Sequence, residues 1–395
     1  MPSISSVTRS FPFAGSALLL SLVAGCQSST STGYIAQSVA VADLSGDGRL
    51  DVLSSIVATT PSESFLSARL QIPSAPGTFA APVRSSTAPG PWAIAVGDLN
   101  GDGLPDAAVA NASAVGGGYS VDVQFQTAAS PGGFGAPVPL PLGTLLPRGL
   151  ALADLNGDGK LDIAVAATGV SALQVFFQGA TGTFGSPVAL PVGGEPTGVA
   201  AGDLTGSGRV DLAVATENGT LSVLLHAAAP GSFLPSVNYA AGTYPAAVQI
   251  ADLNGDGHPD VVVADYTGGL LVFLQTGAGD GTLQPAVRYS ARDYGSCSVA
   301  VGDLNGDGLN DVVVANAGAP GYPGSVAVFL QNPSAPGTLG AATLYAGYWG
   351  PQSVALGDLN GDGLPDIAVA DGAPYIRFQD PAVPGTFLPP TWLQE

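Results

Sequence analysis

Short apolar runs alternate with polar turns along this chain of 395 residues, and the same order of runs returns about every 50 residues. In one copy the runs are Ala93–Val96, Ala107–Ala110, Val121–Phe125 and Ala136–Val138. Runs this short, rich in Val and Ala and bounded by Gly, Pro, Asn and Asp, are typical of β-strands. The first run of each copy consists of small residues, which suit an innermost strand where repeats crowd together. The pattern predicts an all-β chain of repeats with four short strands each.

A nine-residue stretch separates the first run from the second in every copy, and it reads Asp-Leu-Asn-Gly-Asp-Gly-Leu-Pro-Asp at 98–106. It occurs seven times, with starts 49 to 56 residues apart. Seven units of four antiparallel strands fit a β-propeller, whereas a rod-like solenoid has shorter repeats and atypical ends. We therefore expect a seven-bladed β-propeller over residues 37–395, with this stretch as the loop between the first and second strand of each blade.

These nine-residue loops concentrate oxygen ligands. Carboxylates stand at positions 1, 5 and 9 and an Asn usually at position 3, while Gly at positions 4 and 6 allows a tight backbone path. Side chains at 1, 3, 5 and 9 with the carbonyl of position 7 can wrap a hard cation such as Ca²⁺. A plain Asn-Gly turn is the alternative, but three carboxylates in a turn would repel by roughly 1 to 4 kcal/mol per pair at about 4 Å.

We predict that Ca²⁺ binds these loops. The predicted ligands are Asp43, Ser45, Asp47, Arg49 and Asp51; Asp98, Asn100, Asp102, Leu104 and Asp106; Asp154, Asn156, Asp158, Lys160 and Asp162; Asp203, Thr205 and Asp211; Asp252, Asn254, Asp256, His258 and Asp260; Asp303, Asn305, Asp307, Leu309 and Asp311; Asp358, Asn360, Asp362, Leu364 and Asp366.

The seven loops are not equal. Five are complete, the first has Ser45 as a weaker ligand, and the fourth has Ser207 in place of the central carboxylate and Arg209 at position 7. We expect five strong Ca²⁺ sites, one intermediate site and one that is weak or empty. EF-hand loops are excluded, because they need an acid at position 12, and this chain has Ser54 or a Val there.

The loops and the four-strand repeats resemble the FG-GAP and VCBS repeats of integrin α-subunit propellers and of many bacterial surface proteins. The resemblance covers residues 37–395, and it implies that the Ca²⁺ loops lie on the lower face of the propeller. Two further features recur after the third run of each blade. One is a Gln, replaced by His226 in the fourth blade, and the other is a turn such as Gly77-Thr78-Phe79, whose apolar residue we expect to pack between neighbouring sheets.

The net charge of −20 comes mainly from these loops, which hold 20 of the 30 acidic residues. The acidity therefore indicates metal-site chemistry rather than a polyanionic surface. The ten Lys and Arg residues are scattered over the whole chain, which argues against a nucleic-acid partner. We expect a monomer.

The amino terminus reads as a processing segment. Arg9 precedes an apolar run over Phe11–Val23, and Cys26 follows in a Val-Ala-Gly-Cys sequence. This resembles the lipobox of bacterial lipoproteins and implies a signal peptide over 1–25, then the lipidated Cys26 with a polar tether over 26–36. We expect secretion and lipid anchoring at the outer membrane or surface of a bacterium. The alternative is an ordinary secretory signal with an incidental Cys.

No catalytic constellation can be assembled from the sequence. His226 occupies the recurring Gln position, and His258 occupies position 7 of a loop, where the backbone carbonyl is the ligand. We expect a binding or adhesion module for a carbohydrate or protein ligand rather than an enzyme. The alternative is a Ca²⁺-dependent carbohydrate-active enzyme similar to propeller polysaccharide lyases, with Arg148 or Arg292 as the basic residue.

The candidate ligand site lies on the face away from the Ca²⁺ loops. Six residues before each loop stands a chemically mixed set that we expect to ring the central opening: Gln37, Trp92, Arg148, Thr197, Ala246, Cys297 and Gln352. We predict ligand binding by Trp92, Arg148 and Gln352, with Tyr322 and Trp349 in neighbouring loops as further candidates. The alternative is that the ring merely meets solvent.

Overall fold

The computed structural model describes residues 34–58, 63–115, 118–180, 182–291, 295–318 and 324–394. They form seven four-stranded antiparallel sheets and one small two-stranded sheet, and these described residues contain no α-helix. The prediction of an all-β, seven-bladed propeller is confirmed. The predicted signal peptide, Cys26 and most of the tether lie outside the described residues.

Each blade is one continuous segment of chain, and its four strands pair in the order in which they occur. Blade 1 consists of β1 (Tyr34–Ala42), β2 (Asp51–Ala58), β3 (Phe65–Arg69) and β4 (Val83–Ser86). Blade 2 consists of β5 (Pro91–Gly97), β6 (Asp106–Val115), β7 (Gly118–Gln124) and β10 (Val138–Gly143), and the small sheet pairs β8 (Gln126–Thr127) with β9 (Ser130–Phe134). Blade 3 consists of β11 (Leu146–Ala153), β12 (Asp162–Thr168), β13 (Ala172–Phe176) and β14 (Val188–Pro191). Blade 4 consists of β15 (Pro196–Gly202), β16 (Asp211–Thr216), β17 (Thr220–Leu224) and β18 (Val237–Ala240).

The remaining blades follow the same plan. Blade 5 consists of β19 (Pro245–Ala251), β20 (Asp260–Asp265), β21 (Gly269–Phe273) and β22 (Val287–Ser290). Blade 6 consists of β23 (Ser296–Gly302), β24 (Asp311–Asn316), β25 (Ser325–Phe329) and β26 (Thr343–Ala346). Blade 7 consists of β27 (Ser353–Gly357), β28 (Asp366–Asp371), β29 (Ala373–Arg377) and β30 (Thr391–Trp392).

The first strand of each blade is innermost, because the first strands of neighbouring blades contact each other around the whole ring. Their close approach explains the small residues. A Cβ added to Gly198 in β15 would lie 2.8 Å from the carbonyl oxygen of Ala246 in β19. A Cβ added to Gly357 in β27 would lie 2.6 Å from a methyl group of Leu50 in blade 1. Larger residues at these positions would force the blades apart.

The hydrophobic core is divided among the interfaces between blades. Seven apolar clusters each combine residues of two neighbouring blades. The Leu at position 2 of each loop is fully or almost fully buried in the cluster that its blade shares with the next one. The apolar residue of the second recurring turn, such as Phe79 or Leu283, also packs in these clusters, as predicted. Burial of apolar surface between blades is therefore the main force that holds the ring together.

The strand order separates two ends of the propeller. In a four-stranded antiparallel sheet, the connections from first to second and from third to fourth strand lie at one end. The connections from second to third strand and from one blade to the next lie at the other end. The nine-residue loops therefore share their end with the recurring Gln residues, which come just after the third strand. Gln71 and Gln275, for example, form isolated bridges to Phe79 and Leu283.

Candidate functional site

The nine-residue loops connect the first and second strands in all seven blades, as the sequence predicts. Their two glycines have positive φ throughout, for example 82° at Gly101 and 85° at Gly103. A Cβ-bearing residue disfavours this left-handed conformation. The backbone N–H groups consequently turn inward toward the carboxylate at position 1. In the second loop, the Oδ1 of Asp98 accepts hydrogen bonds from Gly101 and Asp102, and its Oδ2 accepts one from Gly103.

The side chains at positions 3 and 5 form hydrogen bonds within the same loop. The Oδ1 of Asp102 accepts a 2.9 Å hydrogen bond from the backbone of Leu104, and the Oδ1 of Asn100 accepts one of 2.8 Å from the backbone of Asp102. The amide of Asn100 donates to the Oδ2 of Asp102 at 3.1 Å. The side chain of Asp102 is exposed. Carboxylate and amide oxygens thus lie along a single tight turn.

The Asp at position 9 has a second role that the sequence did not reveal. It is the first residue of the second strand, and in every blade it is fully buried. In blade 1, the Oδ2 of Asp51 accepts a 2.9 Å hydrogen bond from the backbone of Leu44, and its Oδ1 accepts one of 2.7 Å from Gln71. The same pair of bonds recurs in all seven blades. This carboxylate therefore joins the loop to the end of the third strand.

In the second loop, the pKa values of the first and the ninth carboxylate shift in opposite directions. Burial, together with the neighbouring charges of Asp102 and Asp98, raises the pKa of Asp106 to about 6, although backbone hydrogen bonds act in the opposite direction. At position 1, burial acts to raise the pKa of Asp98, but the backbone hydrogen bonds from Gly103 and Gly101 outweigh it and lower the pKa. The carboxylates of one loop therefore lie within each other's electrostatic field.

A hard cation fits this donor set chemically, because the loop offers three carboxylates, an amide oxygen and a backbone carbonyl. Within the described ranges, no three His, Cys, Asp or Glu side chains already form a closed metal site. Hydrogen bonds from the backbone occupy part of each carboxylate instead. The side chains that would turn toward a bound cation are those at positions 3 and 5, such as the half-buried Asn100 and the exposed Asp102.

The fourth loop differs from the complete loops, as its sequence suggests. The hydroxyl of Thr205 lies 3.2 Å from the Oδ1 of Asp203 and 3.4 Å from the Oδ2 of Asp211. It therefore lies between the carboxylates of positions 1 and 9. The guanidinium of Arg209 donates to the carbonyl of Ala227 at 2.7 Å. The hydroxyl of Thr205 thus stands at position 3, where the complete loops have an Asn, and position 5 holds Ser207 in place of a carboxylate.

At the opposite end, the predicted ring positions coincide with irregularities of the innermost strands. The pairing of the first and second strand skips one residue in six blades, and the skipped residue is the ring residue each time: Gln37, Trp92, Arg148, Thr197, Ala246 and Cys297. A β-bulge of this kind re-aims a side chain out of the sheet pattern. The seventh ring residue, Gln352, directly precedes β27.

Some ring residues serve contacts between blades. The hydroxyl of Thr197 donates to the carbonyl of Pro245 in the next blade at 2.6 Å. The Sγ of Cys297 lies 3.2 Å from the carbonyl oxygen of Pro351 and 3.3 Å from that of Gln352. Burial raises the pKa of Cys297 to about 12. This half-buried thiol is therefore held against backbone carbonyls and is a poor nucleophile.

Trp92 and Arg148, which the sequence singled out, come together. The guanidinium carbon of Arg148 lies 5.9 Å from the centre of the Trp92 ring, within cation–π range. Burial lowers the pKa of Arg148, while the charges of Tyr244 and Glu217 act against this effect. Burial raises the pKa of Glu217, and Glu195 adds to the rise. We call Trp92, Arg148, Glu195, Glu217 and Tyr244 the Arg148 cluster.

Comparison with known proteins gives the family. A model of the FG-GAP-like repeat matches residues 154–214, 203–263, 252–314 and 304–369, which together exceed half of the chain. The chain belongs to the FG-GAP repeat family. The matched segments run from loop to loop, so the nine-residue loops and the strands between them carry the family signal.

The FG-GAP chain is similar to integrin alpha-IIb. It is 40% identical to the Mus musculus protein over an alignment of 116 residues, with coverage of 24% of this chain and 11% of the integrin. It is 43% identical to the Homo sapiens protein over an alignment of 99 residues, with coverage of 21% of this chain and 9% of the integrin. The similarity therefore concerns a small part of those relatives.

Two solved structures share the fold of the FG-GAP chain. One is an Agrocybe aegerita lectin described as recognising non-reducing terminal N-acetylglucosamine, with a TM-score of 0.52, 19% identity and coverage of 92% of this chain and 90% of the lectin. The other is BBS1N in complex with ARL6DN, with a TM-score of 0.58, 14% identity and coverage of 92% and 97%. At these identities the likeness shows the fold alone.

Another candidate of the FG-GAP chain, Trp349, lies in an aromatic cluster with Tyr348 and Trp392. Its ring centre is 5.6 Å from that of Trp392, and Tyr348 is 4.7 Å from Trp392. Asp371 accepts hydrogen bonds from the backbone of Tyr348 and Trp349 at 2.7 and 2.8 Å. Tyr348 and Trp349 remain 49% and 38% exposed.

Two predicted residues of this face, Tyr322 and Arg292, lie outside the described residues. The sequence reasoning also missed Glu217, an exposed residue just after β16. Its position after a second strand, at the same end as Arg148, is the signal that could have found it.

Proposed function

We propose that this FG-GAP propeller is a Ca²⁺-stabilised binding module that recognises a carbohydrate or protein ligand on the face opposite its nine-residue loops. The observation that carries the proposal is the meeting of Trp92 and Arg148, 5.9 Å apart, on bulges of two innermost strands. A fold needs no such pair there, since the equivalent positions of other blades hold residues as small as Ala246.

Ca²⁺ is proposed to stabilise the fold. It would bind to the carboxylates at positions 1, 5 and 9, the side chain at position 3 and the carbonyl at position 7, and it would neutralise clustered negative charge. We propose five strong sites, an intermediate one in Asp43–Asp51 and a weak or empty one in Asp203–Asp211. Support comes from the carboxylate and amide oxygens that each complete loop holds in one tight turn and from the bridging hydroxyl of Thr205 in the fourth.

The Arg148 cluster supplies the chemistry of the proposed ligand site. An aromatic face, a guanidinium and carboxylates can stack on a sugar ring and hydrogen-bond to its hydroxyl groups, and the same set can bind a peptide. The fold neighbour described as an N-acetylglucosamine lectin makes a saccharide the first ligand to test. We propose binding rather than catalysis. The integrin relatives agree with a binding role, although the similar segments are short.

We further propose that the chain is secreted, lipid-anchored through Cys26 and displayed at the outer membrane or surface of a bacterium. This rests on the sequence Val23-Ala24-Gly25-Cys26 after an apolar run. No helix in the described part of the chain is both long and apolar enough to cross a membrane.

The test applies the mature chain to arrays of saccharides and of surface proteins, in Ca²⁺ and in chelator. The expected result is saturable binding that chelator weakens together with the melting temperature. The same preparation is incubated with acidic and neutral polysaccharides, and unsaturated products are followed by ultraviolet absorbance. Release of such products would replace the proposed binding function with the alternative of a polysaccharide lyase. A melting temperature equal in Ca²⁺ and chelator, with no calcium by elemental analysis, would refute the structural role of the cation.

A further inference from the structure

In four blades, the Gln that follows the third strand links its own loop to the loop of the preceding blade. In blade 5, the backbone N–H of Gln275 donates to the Oδ1 of Asp260 at 2.8 Å. The side-chain amide of the same residue donates to the carbonyl of Leu204, which is position 2 of the fourth loop, also at 2.8 Å. The backbone N–H of Leu204 in turn donates to the Oδ2 of Asp211, the ninth residue of the fourth loop, at 2.9 Å. One unbroken chain of hydrogen bonds thus joins the ninth carboxylates of two loops.

The same link occurs at three further interfaces. Gln331 donates to Leu253, Gln178 donates to Leu99, and Gln71 donates to Leu359. The linked loops therefore form three groups: loops 4, 5 and 6, loops 2 and 3, and loops 7 and 1. Each acceptor Leu is also buried in the apolar cluster between the two blades, so its carbonyl has a fixed position.

The three groups of loops are separated at blades 4, 2 and 7. In the described structure of these blades, the side chain that follows the third strand does not make this link. In the fourth blade His226 replaces the Gln, and its Nδ1 meets the carbonyl of Ala227. In the second blade the amide nitrogen of Gln126 is buried and, within the described part of the chain, has no hydrogen-bond partner. In the seventh blade the amide of Gln379 donates to Pro365 of its own loop at 2.9 Å.

We propose that Gln71, Gln178, Gln275 and Gln331 are positioning residues that couple the cation loops of neighbouring blades, so that a divalent cation bound in one loop raises the affinity of the linked loop. The proposal rests on the proposed binding of Ca²⁺ by these loops. The interfaces at Gln126, His226 and Gln379 do not transmit this coupling.

The physical basis is shared ordering. A cation that holds the ninth carboxylate also fixes the backbone N–H bonded to it, and hence the Gln whose amide holds Leu of the preceding loop. That Leu positions the ninth carboxylate of its own loop, so the second cation meets a loop that has already lost part of its conformational entropy. The coupling is reciprocal, because each ligand must change the affinity for the other by the same factor.

Hydrogen exchange of the full mature chain, followed by mass spectrometry at saturating Ca²⁺, tests the coupling. The substitution Asp158→Asn weakens the third loop, and exchange is read in the second loop, residues 98–106. We expect exchange there to accelerate by about fivefold or more, the lower end of usual coupling between sites. In a Gln178→Met background, which keeps the side-chain length but removes the donor, the same substitution should leave residues 98–106 unchanged.

The matched control is Asp102→Asn, the equivalent substitution one blade earlier. It should leave residues 43–51 unchanged, since Gln126 does not reach the first loop, and it should accelerate exchange in the linked third loop, residues 154–162. This comparison contains no Gln variant and therefore remains decisive if Gln178→Met unfolds the chain.

Three results would overturn the coupling: no response of residues 98–106 to Asp158→Asn, an equal response of residues 43–51 to Asp102→Asn, or a response that survives Gln178→Met. In each case Ca²⁺ would still protect the individual loops, so the proposed function would stand. Exchange that is identical in Ca²⁺ and in chelator for every loop would overturn cation binding and the coupling together.

Discussion

The side-chain amide of Gln71 in blade 1 donates a 2.8 Å hydrogen bond to the carbonyl oxygen of Leu359 in blade 7, across 288 positions of sequence. A second bond, of 2.7 Å, runs from the backbone of Ala36 to the carbonyl of Gly372. Each sheet is contiguous in the chain, so no strand is exchanged between the first and last blade. The ring is therefore closed by these bonds and by the apolar cluster that the two blades share.

Gln71→Leu should destabilise the closed ring. The substitution leaves the buried carbonyl of Leu359 without the donor from blade 1, and an unsatisfied buried group costs about 1 to 3 kcal/mol. Gln126→Leu is the control, because within the described residues the amide nitrogen of Gln126 has no hydrogen-bond partner to lose, and its Oε1 accepts a hydrogen bond only from Gly132 of its own blade. The free energy of unfolding in urea, measured for both variants and wild type, decides between them. An unchanged free energy of unfolding in Gln71→Leu would show that the amide of Gln71 does not help to close the ring.

The metal-free protein should become more stable as the pH falls from about 7 to about 4. Burial raises the pKa of Asp51, Asp162 and Asp260 to about 6 and that of Asp366 to about 7, whereas an unfolded Asp titrates near ~3.9. The folded state thus binds more protons in this range, so its stability rises on acidification.

Ca²⁺ should reverse this pH dependence, because it requires the deprotonated carboxylates. Melting temperatures in chelator and in Ca²⁺, at about pH 7.5 and about pH 5, provide the measurement. The increment that Ca²⁺ adds should be largest at the higher pH. An increment that grows on acidification would contradict the assignment of these carboxylates to the cation sites.

Ser207→Asp should create a further cation site in the fourth loop. It restores the central carboxylate at position 5, while the hydroxyl of Thr205 at position 3 already contacts Asp203 and Asp211. Elemental analysis after gel filtration should find about one additional calcium per chain. Ser207→Asn, which has similar volume and no charge, should add none. If wild type already binds a cation in every loop, the weak-site assignment is wrong.

The repeat pattern was sufficient to predict the blades and the loops between their first and second strands. The position of Trp92 beside Arg148 could also be predicted. Each stands six residues before its loop, and equivalent residues of neighbouring innermost strands must lie side by side. The bulges at these residues could not be read from the sequence, since a bulge depends on the pairing of two strands rather than on one run of residues.

The role of the ninth Asp was missed for a related reason. Its spacing from the first Asp is local and indicates a cation ligand. Its bond to the residue after the third strand spans 20 positions in the case of Asp51 and Gln71, and nothing in the loop itself specifies that partner. The hydrogen bonds between blades could not be predicted either. A Gln that recurs after a strand does not show which way its amide points or which group accepts its hydrogen bond.

Cys26→Ala should release the protein from the membrane, because we expect the lipid on Cys26 to be its membrane attachment. Fractionation of cells that express the variant or wild type, followed by a wash in high salt, gives the comparison. The variant should appear in the soluble fraction with the melting temperature of the wild-type propeller. A variant that still sediments with membranes after the wash would refute the lipobox interpretation.

The last prediction locates the ligand. If the Arg148 cluster is the binding site, Trp92→Ala and Arg148→Ala should each weaken a bound saccharide or peptide by about tenfold or more. A cation–π contact is worth about 0.5 to 2 kcal/mol and a hydrogen bond to a charged group about 1.5 to 3 kcal/mol, and about 1.4 kcal/mol is tenfold in affinity. Trp349→Ala serves as the control, because Trp349 packs on Trp392 in an outer strand. Titration calorimetry with the ligand found by array screening measures all three variants, and their melting temperatures exclude simple unfolding. Loss of affinity in Trp349→Ala alone would move the site to the aromatic cluster of blade 7, because Tyr348 and Trp349 there remain 49% and 38% exposed.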